Sequence, residues 1–288
     1  MLGQKIARHG ITIVATVLIG ALVSATLVRL APGFDTDEAQ LDPHLSSSSI
    51  EALRQSRLEQ HNVLAFYVRS LKRATHGDLG TSISLGQPVS QLLKERVPLT
   101  IRLAGMGLLL SWAIVLALAL TAAWLRLTAY DTLATMLSGT LLCMPAAVLA
   151  LLSVLWNMPG ALAIALIIFP RDFRFTRNLL AKAYALPHVL AARASGISES
   201  RILFRQVVPV VLPQLLALAG VSISLALGAA IPVEALCGLA GVGQLAWQAA
   251  LARDLPLLVN ITTLVTLVTL LANSSADVIG HMFGGQPS

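Results

Sequence analysis

Few residues of this 288-residue chain have the types and spacing for covalent chemistry. Gly238, Gly241 and Gly243 imitate a phosphate-binding loop, but no Lys-Ser/Thr follows them and no strand-like run precedes them, so the nucleotide motif is incomplete. An intramembrane protease needs a serine paired with a histidine, or a carboxylate dyad, inside the apolar runs. Ser24, Ser111, Ser138, Ser153, Ser222 and Ser224 occur in or beside such runs, yet His188 and His281 fall outside them. A self-driven transporter needs coupling carboxylates at mid-bilayer. Only Glu234 comes close, and it stands at the end of an apolar run. Cys143 and Cys237 lie in or beside apolar runs and read as buried thiols, with neither a disulfide framework nor a metal spacing. The sequence therefore offers no catalytic residue and no metal site, and any function must lie in how the chain spans, bends and docks.

Composition says what must position those residues. The chain is 56% hydrophobic and 12% charged, half the charge of a soluble domain, and several runs reach the roughly 20 residues that cross a bilayer. The net charge of +6 does not point to nucleic acid, because the basic residues are distributed between apolar runs, as positive-inside topology requires. The reading is an all-α, polytopic membrane protein of about six spans, with an external region after the first and a cytoplasmic docking loop between the fourth and fifth.

Residues 11–30 form the first span, preceded by Lys5, Arg8 and His9, which puts the N-terminus in the cytoplasm. Residues 49–75 repeat apolar positions at helical spacing, and Gly77, Gly80, Gly86 and Pro88 then punctuate an extended stretch. The division expected is 1–97, the first span with this external region, and 98–288, the transmembrane domain. Spans are predicted at 99–124 and at 132–156, where Pro145 should kink the helix and has a hinge or cavity-lining role as its alternative. The fourth span is anomalous: the apolar part, Ala161 to Phe169, is too short to cross, and Arg171 and Asp172 must sit close to the membrane. The fifth, 214–233, is rich in Gly, Ala and Ser for close packing, and the sixth covers 257 to about 279.

Between the fourth and fifth spans, residues 190–213 form a basic island. Ala191, Ala192 and Ala194 favour a helix that Gly196 interrupts. Ser198 can cap a second helix with Glu199 in its first turn; Arg201 and Arg205 share a face, with Ile197, Leu203 and Phe204 as apolar surface. Pro209 and Pro213 are expected to close the segment. This is a helix–turn–helix at the membrane surface whose small residues admit a close partner.

The island resembles the cytoplasmic loop of bacterial ABC-importer permeases, with Leu190 where an acidic residue usually stands. The resemblance to the dipeptide/oligopeptide/nickel branch extends along most of the chain: Gly77 to Gly80, Ser82, Pro88-Val89, Arg96 to Thr100, Glu234, the Gly238–Gly243 run and Arg253 to Pro256 occur in the family's order. It implies a permease subunit for peptides, nickel or a related solute, partnered by a second similar permease, two ATPases, an external solute-binding protein and membrane lipid, with no nucleic acid. ATP and magnesium would sit on the ATPases, with no cofactor on this chain. Residues 190–206, through Ala191, Ala192, Arg193, Ala194, Gly196, Ile197, Ser198, Arg201, Phe204 and Arg205, would receive the ATPase movement. Pro145 and Glu234 are candidates for the translocation path, Glu234 having a hydrogen bond to the turn's amides as its alternative. Gly238, Gly241, Gly243 and Asp254 would form an external turn. The family's long external loop before the fourth span is largely missing, which leaves a degenerate, regulatory permease as the competing reading.

Overall fold

The computed structural model describes residues 77–125 and 128–283, with positions 16, 19, 20, 23, 26 and 73 (128 and 276–283 as backbone only). The expected first span and the amphipathic stretch 49–75 fall outside the described residues apart from those positions. The helices described are α1 (Val89–Leu125), α2 (Thr128–Cys143), α3 (Ala146–Leu155), α4 (Gly160–Tyr184), α5 (Pro187–Ala194), α6 (Glu199–Ile202), α7 (Val208–Leu236), α8 (Val242–Leu251) and α9 (Leu255–Phe283). A π turn, Leu203–Val207, joins α6 to α7. Among the described residues the β pairing is a single antiparallel bridge, Thr81 to Pro88. The all-α membrane architecture holds: α1, the continuous run Glu199–Leu236, and Leu255–Ser275 are each long and apolar enough to cross a bilayer.

Three elements differ from expectation. The second span starts at Val89 rather than 99, and α1 passes through Pro98. The third is no kinked helix but two helices bent by 101°. Pro145 sits outside both, at the N-terminal boundary of α3 with φ −57° and ψ 141°; a proline cannot continue the preceding helix and pushes Met144 out of the helical region. The fifth span does not begin beyond Pro213, because the helix runs through Pro209 and Pro213 without a break. By contrast α4 is an uninterrupted 25-residue helix despite Pro170, about 37 Å long, so it has the length to cross although its apolar part is short.

The chain divides into two compact units, residues 1–97 with 245–267 and residues 98–244 with 268–288. The second holds two cores. In one, Phe169 and Phe173 stack with ring centroids 5.5 Å apart among Val115, Leu180, Ile202, Leu203, Val207 and Val211. In the other, Ala163, Ile164, Ala226, Ala229 and Ala230 bring α4 and α7 close together. Apolar side chains gain little from leaving lipid, so dispersion between tightly fitted small residues carries this packing.

Candidate functional site

The elbow between α5 and α6 is built by local chain chemistry. Pro187 opens α5 at a first-turn position, where its missing N–H is harmless. Gly196 ends it in the left-handed region, φ +77°. The Gly196 N–H bonds the Arg193 carbonyl at 3.0 Å and the Ile197 N–H bonds that of Ala192 at 3.2 Å, the two bonds of a Schellman stop. Ser198 occupies the capping position of α6 in extended conformation, but its hydroxyl makes no capping bond. The elbow is held instead by a pair the sequence did not show: Arg193 Nε donates to Glu199 Oε1 at 2.9 Å and Nη2 to Oε2 at 3.4 Å. The Arg193 guanidinium also lies 5.7 Å from the Tyr184 ring centroid. Arg193 thus braces the bend, whereas Ala191, Ala194, Gly196, Ser198, Arg201, Phe204 and Arg205 are exposed. Ala192 is buried and Ile197 is half-buried. Nearby in sequence, Arg177 grips Asp131 in a two-point ion pair that ties α4 to α2, Nε donating to Oδ1 at 2.5 Å and Nη2 to Oδ2.

Near the other end of α7, about 39 Å from Val208 by helix rise, Glu234 organises the glycine turn. Its side chain is fully buried, and Oε2 accepts the Gly243 N–H at 2.6 Å. The Thr100 hydroxyl and the Gln244 amide also face this carboxylate. Thr100 Oγ1 in turn accepts the Val242 N–H at 2.8 Å, which pins the turn to α1. A Cβ on Gly241 would lie 2.2 Å from Glu234 Oε2, so glycine is required there by space. Glu234 makes the hydrogen bond to the turn's amides that the sequence offered as one of its two roles. Three separated motifs (Arg96 to Thr100, Glu234 and Gly238 to Gly243) meet at one carboxylate. Pro145, the other path candidate, is exposed on the chain's surface.

In the first unit, Asp254 is buried and clamps the stretch after Gly80. Its Oδ2 accepts from Ser82 Oγ at 2.5 Å, Ser84 N at 3.0 Å and Ser84 Oγ at 2.9 Å, and Oδ1 accepts from Leu257 N at 3.1 Å. Asn260 Nδ2 adds a bond to the Leu79 carbonyl at 3.0 Å. Asp254 therefore belongs to this clamp and not to the glycine turn with which the sequence grouped it.

Glu234 is not the carboxylate nearest mid-span. Asp172, fully buried, lies halfway along α4 and accepts from Ser222 Oγ, halfway along α7, at 2.6 Å. The sequence expectation put Asp172 close to the membrane edge; because α4 continues beyond Pro170, it lies mid-helix instead, facing Ser222, which the sequence already put within the fifth span. Ser224 similarly donates to Asn273 Oδ1 at 2.7 Å, giving Asn273 a helix-packing role. Cys143 is exposed and Cys237 half-buried, so the thiols are not both core residues. Among the described residues no group of His, Cys, Asp and Glu could hold a metal ion.

Comparison with known proteins supplies the frame for this geometry. The family described as "Binding-protein-dependent transport system inner membrane component" matches residues 115–284. A peptide transport system permease protein of Brucella melitensis is 27% identical over 97% of this chain and 96% of its own length. The oligopeptide transport system permease protein OppB of Salmonella typhimurium is 28% identical, with 95% of each chain covered. OppB of Escherichia coli K12 matches at the same identity and coverage. These relatives are named as permease proteins of transport systems; among the described residues the buried carboxylates Asp172, Glu234 and Asp254 each accept hydrogen bonds.

Proposed function

Since the chain belongs to the family of binding-protein-dependent transport system inner membrane components, we propose that it is one of two membrane-spanning permease subunits of an ATP-driven ABC importer for peptides. The peptide assignment rests on the names of its full-length relatives. The assembly comprises this chain, a second similar permease, two cytoplasmic ATPases carrying ATP and magnesium, and an external solute-binding protein. Residues 190–206 seat in the ATPase, with Ala191, Ala194, Gly196, Ser198, Arg201, Phe204 and Arg205 outward and Arg193 as the brace. Closure of the ATPases moves the loop, and rigid-body tilting of the helices alternates access.

The observation that carries this reading is the exposed, basic, small-residue elbow within a chain of that family. It supports a cytoplasmic loop and, by counting spans back, a cytoplasmic N-terminus. The Glu234 turn, with Gly238, Gly241 and Gly243, then stands at the external end, and residues 1–97 contribute the external region. The test is reconstitution of this chain with the second permease, the ATPases and the binding protein in proteoliposomes. Peptide-stimulated ATP hydrolysis with peptide uptake is expected. A complex that assembles and hydrolyses ATP but takes up no peptide would favour the regulatory reading raised by the short apolar part of α4.

A further inference from the structure

The π turn Leu203–Val207 sits directly between the docking elbow and the long helix α7. Such turns close by i→i−5 bonds and are rare, and here the Val208 N–H bonds the Leu203 carbonyl. The next residue is Pro209, which has no N–H. The change from i→i−5 to i→i−4 pairing therefore falls on the one residue that can make neither bond, and the proline ring would also clash with the carbonyl four residues back in a regular α-helix. Within the turn, Gln206 Oε1 is buried with no hydrogen-bond partner among the described residues.

The consequence is angular. In a regular α-helix, at about 100° per residue, Ile202 would point about 140° away from Val207, and Phe204 only about 60°. The structure shows the opposite: Ile202 and Val207 are both at 0% exposure and Phe204 is at 63%. The wider π turn holds more residues than an α turn, which brings Ile202 nearer in angle to Val207 and swings Phe204 outward, with Arg201 and Arg205 exposed beside it. We infer that Pro209 is a positioning residue: by forcing the π turn it sets the angular register between α7 and the docking face, so that Phe204, Arg201 and Arg205 point at the ATPase. This rests on the docking role proposed above.

The test uses the full chain in membranes, with single cysteines at 202 or 204 labelled by a maleimide. With Cys143 and Cys237 replaced by serine and Pro209 kept, F204C should label and I202C should not. Pro209→Ala should restore an N–H, let the turn close as α, and reverse the pattern, with I202C labelling rising at least about fivefold. Uptake by the assembled importer should fall at least about tenfold while ATP hydrolysis persists. Deleting Gln206 in the Pro209→Ala background removes the extra residue and should restore both the labelling pattern and uptake, which separates lost register from lost folding. Unchanged labelling in Pro209→Ala overturns the inference, as does reversed labelling with normal uptake, or no rescue by the deletion. If the native chain binds no ATPase, the docking reading fails, and the labelling arm still decides whether Pro209 sets the register.

Discussion

Gly241→Ala is the sharpest test of the carboxylate centre at the end of α7. The added methyl would lie 2.2 Å from Glu234 Oε2, 2.3 Å from its Cδ and 2.5 Å from Oε1. The carboxylate cannot step aside freely, because it is fully buried and bound to the Gly243 N–H at 2.6 Å. Overpacking of this kind costs about 1–3 kcal/mol, and losing a hydrogen bond to a charged group about 1.5–3 kcal/mol. The two together come to roughly 3–5 kcal/mol, which for a chain of this size lowers the unfolding midpoint by about 6–15 °C. Thermal unfolding in detergent at a fixed scan rate reads this, with Gly139→Ala as control: nothing lies within 4 Å of a Cβ there, and alanine in the helix should be neutral or mildly stabilising. Glu234→Asp shortens the carboxylate arm by one methylene, so the double variant should recover part of the loss. A Gly241→Ala chain as stable as Gly139→Ala would refute the proposed convergence of three motifs on Glu234.

Other perturbations follow from the same contacts. Asp254→Ala removes the acceptor for four hydrogen bonds and should open the 80–88 stretch to protease at least about tenfold faster, while Asp254→Asn, which keeps one carbonyl acceptor, should lie between. Asp172→Asn should preserve the bond from Ser222 and leave thermal stability within about 1 kcal/mol, whereas Asp172→Ala opens a cavity and leaves the Ser222 hydroxyl only its bond to the Leu218 carbonyl, lowering stability by about 2–4 kcal/mol. Reversing the elbow pair, Arg193→Glu with Glu199→Arg, should restore most of the ATPase binding that either single change weakens. Additive losses in that double variant would remove the brace from the account.

The parts of this fold legible in sequence were those set by local chemistry. Ala-rich helix, glycine stop and small-residue bend follow from residues 190–198 because helix propensity and left-handed φ are local properties. What could not be read were the long-range partners. Ser82 finds Asp254 across 172 positions, and Ser222 finds Asp172 across 50, with no pattern in either flank that names the other. The prolines misled for a related reason. Pro145 breaks its span outright because the helix on each side can end there, yet Pro209 and Pro213 are carried through because α7 accommodates them behind a π turn. Proline signals a lost bond, and the surroundings decide whether that loss becomes a break, a kink or a change of register.

The central claim is that residues 190–206 dock on an ATPase, and co-purification with the cognate ATPase subunits tests it most directly. The native chain should bring the ATPases down with it, and Gly196→Trp and Arg201→Glu should lose them while inserting normally. Gly196 has φ +77° and stands exposed at the bend, so a tryptophan there both strains the stop and obstructs a close partner. Equal recovery of the ATPases with both variants would contradict the account.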